Sequence, residues 1–221
     1  MPIMRRLTGE FFGTALLLAT VVGSGIMGEK LADGNVALAL LGNTLPTGAI
    51  LVVLILIFAP VSGAHFNPVV SIAAAFGGNL TKRDCVLYIA AQLAGAVAGV
   101  WIAHAMFDLP ILQSATKLRA GLPQWIAEFV ATFGLLLTIE GTRRYPIPAV
   151  AAAVGLYITA AYWFTASTSF ANPAVTFARS LSDTFAGIAP SGVPAFVIAQ
   201  CLGGVAAIAL SRMIFNPELS R

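Results

Sequence analysis

Six apolar runs mark the chain, at residues 7–27, 39–60, 84–107, 124–141, 147–164 and 191–213, with polar or turn-forming residues between them. Each is about 17 to 24 residues long, the length an α-helix needs to cross roughly 30 Å of hydrocarbon. None alternates with the period of two that membrane barrel strands carry. The pattern predicts an all-α membrane protein with six transmembrane helices, because a helix satisfies its own backbone hydrogen bonds where no water can.

Two further apolar segments are too short to cross. Asn67 to Gly77 is eleven residues, about 16 Å as a helix and roughly half the hydrocarbon core. The second begins at Asn172. Each opens on an Asn-Pro step, Asn67-Pro68-Val69 and Asn172-Pro173-Ala174. A single Asn-Pro is an ordinary turn initiator. Here the pair suits a helix start inside the membrane, because asparagine caps the N-terminus and proline at the first position gives up a donor that has no partner there anyway. Both segments are therefore read as re-entrant half-helices. They would enter from opposite faces, meet at the midplane and complete a seventh crossing around a water-lined space.

The Asn-Pro steps belong to a longer internal repeat. Glu10-Phe11-Phe12-Gly13-Thr14 answers Glu128-Phe129-Val130-Ala131-Thr132, and Ala91-Gln92-Leu93-Ala94-Gly95 answers Ala199-Gln200-Cys201-Leu202-Gly203. Each half holds three spans, an odd number, so the second half starts from the opposite face of the bilayer. The expected architecture is an inverted 3+3 repeat. It forms one transmembrane domain over residues 1–221, with repeat one at 7–107, a linker at 108–123 and repeat two at 124–213.

Composition agrees with this pattern. Of 221 residues, 58% are hydrophobic and 10% charged, with a mean hydropathy of +0.90, too apolar for a soluble globule. Arg5, Arg6, Lys82, Arg83, Arg143, Arg144, Arg212 and Arg221 fall on one side of a six-span bundle, against Lys30, Lys117, Arg119 and Arg179 on the other. The positive-inside rule places both termini in the cytoplasm of a cell-membrane protein. Arg5 and Arg6 before an apolar run imitate a signal peptide, but Glu10 interrupts the run and no cleavage pattern follows, so the span is read as retained. The net charge of +3 is scattered at loop ends and gives no footprint for nucleic acid. Cys85 and Cys201 read as thiols in or beside spans. No metal cluster, catalytic constellation or cofactor motif is visible. Glycines at small-xxx-small spacing, such as Gly95 and Gly99, read as close helix packing, and Trp101, Trp125 and Trp163 as an aromatic belt.

The doubled Asn-Pro boxes, the run Ser62-Gly63-Ala64-His65-Phe66-Asn67-Pro68 and the paired glutamates resemble the aquaporin and glycerol-facilitator family, the major intrinsic proteins. The resemblance spans about residues 7 to 213, with Val69 in place of the alanine usual in the first box. It implies a passive, homotetrameric channel with one pore per subunit, conducting water and small neutral solutes across the bilayer with no cofactor. Pore boxes at Asn67, Pro68, Val69, Asn172, Pro173 and Ala174 follow from it. Opposed helix dipoles there would repel a cation by about 3 kcal/mol, taking half a charge each at roughly 6 Å and a dielectric of 20.

The family normally places an arginine directly after the second Asn-Pro-Ala, in a narrow outer filter. This chain has Val175. The other filter positions fall on Thr47, Ser169 and, in the fifth span, Tyr162, with Ala160 as the alternative. Loss of the arginine implies a wider constriction for glycerol-like solutes. It also resembles a bacterial subgroup associated with arsenic resistance, whose suggested cargo is neutral arsenite or methylated arsenicals. Arg179, four residues after Val175, either reaches the outer vestibule in partial compensation or snorkels and pairs with Asp183.

Glu10 and Glu128 admit two readings. As intramembrane carboxylates they could relay protons in a coupled secondary transporter; by resemblance they anchor the re-entrant loops. His65 likewise reads as a titrating gate or as a loop anchor beside the half-helix. Phe66, Phe170 and Phe177 flank the boxes as core packing or solute contacts. His104 has no visible partner and reads as interfacial.

Overall fold

A computed structural model describes residues 1–215, so Arg221 and the last residues of the 1–221 domain lie outside the described residues. Within them stand eight α-helices and no strand. They are α1 (Ile3–Leu31), α2 (Val36–Ser62), α3 (Pro68–Phe76), α4 (Lys82–Met106), α5 (Leu122–Thr142), α6 (Ile147–Phe164), α7 (Pro173–Arg179) and α8 (Val193–Phe215), the last preceded by a 3-10 turn at Pro190–Gly192. Six are long and apolar enough to cross a membrane, and the two that are not are α3 and α7. Two crossing helices run well beyond the apolar runs that predict them, whereas α6 keeps the predicted 147–164. α1 and α2 have 29 and 27 residues, because backbone pairing continues past the last apolar side chain.

Helix starts follow capping chemistry. The Asn35 side chain accepts from the Leu38 N–H at α2, and the Thr81 hydroxyl accepts from the Asp84 N–H at α4; each satisfies one of the four orphan donors of a first turn. α2 closes on Gly63 at φ +90°, a left-handed residue that costs glycine little.

Glycine sets the distance between crossing helices. A methyl group on Gly95 would stand 2.2 Å from the Phe11 carbonyl oxygen, and one on Gly203 would stand 2.3 Å from that of Phe129. The backbones of α1 and α4, and of α5 and α8, therefore touch in the same way in the two halves. With no hydrophobic force between helices in lipid, such close van der Waals approach is what holds them.

The two half-helices exchange partners. Ala174, Val175 and Ala178 of α7 pack with Leu17, Leu18 and Val21 of α1 and Ala96, Val100 and Ala103 of α4. Val69 of α3 packs with Ala131 and Leu135 of α5, Val154 and Ile158 of α6, and Ala207 of α8. Each repeat thus donates its short helix to the core of the other. Large apolar side chains such as Phe12, Leu16, Leu56, Leu156, Leu202 and Val205 remain exposed, as they do on a surface meant for lipid. Trp101, Trp125 and Trp163 are exposed near helix ends, where amphipathic rings sit at a membrane interface.

A candidate pore between two half-helices

Asn67 and Asn172 are the N-caps of α3 and α7, and each does three things with one side chain. The Asn67 oxygen accepts from the Val69 N–H at 2.9 Å; the Asn172 oxygen accepts from the N–H groups of Ala174 at 2.9 Å and Val175 at 3.3 Å. The amide nitrogens then cross over. Asn67 Nδ2 donates to the Ala171 carbonyl and Asn172 Nδ2 donates to the Phe66 carbonyl, both at 2.8 Å. An amide NH₂ has two hydrogens, so each asparagine keeps one donor for whatever occupies the space beside it. Pro68 and Pro173 hold the first helical position in both.

The loops that carry these caps are bent against their own preference. Ala64 and Phe66 in the first, and Thr168, Ser169 and Ala171 in the second, have φ between 49° and 62°. A non-glycine residue held there costs about 1–3 kcal/mol. Glu10 and Glu128 hold them in place. Glu10 accepts from the N–H groups of His65 and Phe66, the Ser62 hydroxyl and Gln92 Nε2, at 2.7 to 3.0 Å. Glu128 accepts from the N–H groups of Phe170 and Ala171 at 2.9 Å and from Gln200 Nε2 at 2.6 Å. Charge-assisted bonds of this kind contribute about 1.5–3 kcal/mol each, of the same order as the cost of the bent backbone. Both carboxyl groups are fully buried, and neither is among the residues lining the lumen.

Gln92 and Gln200 were visible in the sequence only as landmarks of the repeat. Each turns its amide nitrogen both to the glutamate of its half and to a hydroxyl of the adjoining half-helix, Ser71 for Gln92 and Thr176 for Gln200. They tie the loop anchor to the half-helix itself. His65 Nδ1 lies 3.1 Å from the Ser71 oxygen. That hydroxyl already accepts from Gln92, so its proton is free to be donated to the ring. The ring also meets Tyr88 edge-on at 5.3 Å, a packed position for a side chain that lines the lumen as well.

Between the half-helices lies a cavity of about 250 Å³. At the end of the bundle where α1 begins and α8 ends it is bounded by Asn79, Glu140 and Arg143, and Glu140 and Arg143 pair at 3.0 Å. Its middle passes Asn67 and Asn172. Apolar side chains from α1, α2, α5 and α6, among them Val21, Leu51, Ile55, Leu136 and Ile158, form most of the wall. At the far end Thr47, Tyr162, Ser169 and Val175 come together, with the Tyr162 hydroxyl donating to the Thr47 hydroxyl at 3.4 Å. Tyr162 is buried on this wall, whereas Ala160 faces outward. Helix phase explains the choice: two residues along α6 is a rotation of about 200°.

Several sequence expectations change. Asp183 does not pair with Arg179. Its carboxylate accepts from the N–H and hydroxyl of Thr116, which hold it below the usual carboxylate range. Arg179 is buried instead of snorkelling. His104 is not interfacial; it is fully buried, with Nδ1 3.0 Å from the Ile111 carbonyl and Nε2 2.9 Å from the Ser182 hydroxyl. It clamps the linker to the segment after α7. Phe66 and Phe170 are core residues beside the boxes, but Phe177 is exposed.

The family model described as "Major intrinsic protein" matches residues 1–146 and 142–220 of the chain. The chain is 57% identical over 215 residues to "Aquaglyceroporin AqpS" of Rhizobium meliloti (strain 1021), covering 97% of this chain and 92% of that protein. It is also 33% identical over 149 residues to "Probable aquaporin TIP1-2" of Oryza sativa subsp. japonica, covering 62% and 56% of the two. Among solved structures, the X-ray structure of the aquaglyceroporin from Plasmodium falciparum matches at a TM-score of 0.73 and 21% identity, covering 99% of both chains. At that identity the likeness concerns the fold.

Proposed function

The chain belongs to the major intrinsic protein family, and from that premise we propose that it passes solutes larger than water through an outer filter widened by Val175. The protein is an integral membrane channel, passive toward water and small neutral solutes such as glycerol, and not an enzyme. The carrying observation is the lumen itself: an apolar wall with two asparagine amides at its middle and no carboxylate beside them. A neutral solute exchanges its water contacts for those amides, while an ion loses a hydration shell that valine, leucine and isoleucine cannot replace.

In this reading Asn67, Pro68, Val69, Asn172, Pro173 and Ala174 build the central constriction, and Thr47, Tyr162, Ser169 and Val175 the outer filter. Glu10, Glu128 and His65 anchor the loops. A valine in place of the family's arginine removes a fixed charge and several donors from the filter and leaves more width. Glycerol-like polyols fit that change, and so do neutral arsenite and methylated arsenicals. The termini lie in the cytoplasm of the cell, given the arginines and lysines grouped at their end, so the filter faces outward. The chain forms one domain over 1–221, and four copies associate in the membrane through their apolar outer faces.

Stopped-flow light scattering on vesicles holding the purified protein tests the reading. Water and glycerol should both pass faster than in empty vesicles, urea and arsenite flux should follow, and flow should cease when concentrations equalise. A protein that passes water but none of the larger solutes would overturn the widened filter.

A further inference from the structure

Val175 leaves the filter turn of α7 without a donor, yet the same helix carries a guanidinium one turn later. Arg179 is 1% exposed. Its Nε donates to the Ala186 carbonyl, and the centre of the guanidinium lies 3.4 Å from the centre of the Phe170 ring. Phe170 lines the far end of the lumen, next to Ser169. Two polar atoms here are buried without a partner: Arg179 Nη1 and the Ser169 hydroxyl oxygen.

Arg119 sharpens the contrast. It reaches the other flank of the same region from the linker, 5.1 Å from the Phe170 ring centre. Its Nε and Nη1 donate to the carbonyls of Gly187 and Ser167, which makes it a clamp between segments. Neither arginine meets a carboxylate among the described residues. A guanidinium offers five donors, and a buried donor left unpaired is costly. Arg119 spends its donors on the fold, while Arg179 spends Nε on Ala186 and leaves Nη1 unpaired against Phe170, itself a lumen-lining residue. The aromatic face under it fixes its plane and favours its charge.

We propose that Arg179 is the specificity-determining residue of the outer constriction, supplying from one turn along α7 the guanidinium that position 175 lacks. Together with the Ser169 hydroxyl it forms a donor site for the oxygen atoms of neutral solutes rich in hydroxyl or oxo groups. Its fixed charge repels cations at the same point. Because the arginine lies one turn deeper into the far end, the space beside Val175 stays open, so selection for oxygen-bearing solutes and passage of larger ones coexist. This inference rests on the channel reading above.

The test uses the full chain in proteoliposomes, with water and glycerol permeability by light scattering and proton leak from an entrapped pH dye. Arg179→Leu should lower the glycerol-to-water ratio about fivefold, the scale of one net hydrogen bond, and raise proton leak about fivefold. Arg179→Lys should restore proton exclusion but not the glycerol ratio, since a point charge lacks the planar fork. Wild-type ratios and leak in Arg179→Leu would overturn the proposal. Should that variant fail to fold, Ser169→Ala decides: a lowered glycerol ratio supports the site and an unchanged one overturns it. Wild-type vesicles no more permeable than empty ones would bring down the channel reading, and the proposal with it.

Discussion

The side chain of Val69 occupies the space that Gly204 leaves open. A methyl group on that glycine would stand 2.4 Å from Val69 Cγ1. In the other half the matching residues are Ala174 and Ala96, which share one core cluster. A valine facing a glycine thus replaces an alanine facing an alanine, and the side chains at the two helix crossings differ by one carbon in all. The unusual valine of the first box is therefore accommodated by packing, without moving the asparagine that precedes it. Gly204→Ala should destabilise the protein by about 1–3 kcal/mol, the usual cost of overpacking. Adding Val69→Ala should recover most of that, a coupling of about 0.5–3 kcal/mol between touching residues. Thermal unfolding of the two single variants and the double variant in detergent measures it, and simple additivity would show that the pair does not share one space.

Glu128 separates a channel from a proton-coupled carrier. Its oxygens accept from the N–H groups of Phe170 and Ala171 and from Gln200 Nε2. Glu128→Gln puts a second donor against at least one of these, so the variant should lose about 2–4 kcal/mol of stability, one or two buried donors left unpaired. Flux of every solute should fall together with the amount of folded protein. Nothing in that effect depends on a proton gradient. Wild-type vesicles under an imposed pH gradient should equilibrate glycerol and stop; accumulation above the outside concentration would revive the carrier.

The layout of the fold was legible because run length and the repeated Asn-Pro step are local signals. Eleven residues cannot cross a bilayer, and α3 and α7 obey that limit. What stayed hidden depends on partners far apart in sequence. Gln92 and Glu10 meet across 82 positions, so the repeat could mark Gln92 but not say what it holds. His104 finds its partners in two loops with no periodicity to betray them. Arg179 misled for a different reason. The spacing of four to Asp183 means a shared face only inside a helix, and α7 ends at Arg179 itself. The same rule held for Val175 and Arg179, which lie within α7.

Val175→Arg places a guanidinium one turn before Arg179, on the stretch of lumen wall that Thr47, Tyr162 and Ser169 share. The long side chain narrows the opening that the valine leaves. Glycerol and urea flux should drop about tenfold, about 1.4 kcal/mol of added barrier, while water loses much less. The ratio is the informative quantity, since expression cancels from it. Equal losses for water and glycerol would mean that Val175 does not set the width.

Asn172→Asp is the sharpest probe of the midplane. The carboxylate can still accept from the N–H groups of Ala174 and Val175, so the start of α7 keeps its cap. The change falls on the other arm, where a nitrogen donates to the Phe66 carbonyl. An oxygen there faces an oxygen, loses the cross-link between the loops and turns a negative charge toward the lumen. Cation leak should rise about tenfold, a barrier lowered by about 1.4 kcal/mol. The control is Asn172→Ala, which removes both arms at a cost of about 1 kcal/mol to the cap without adding charge. Its cation leak should stay near wild type even if water flux falls. Equal leak in the two variants would assign ion exclusion to loop geometry, and no leak in Asn172→Asp would take this asparagine out of the barrier altogether.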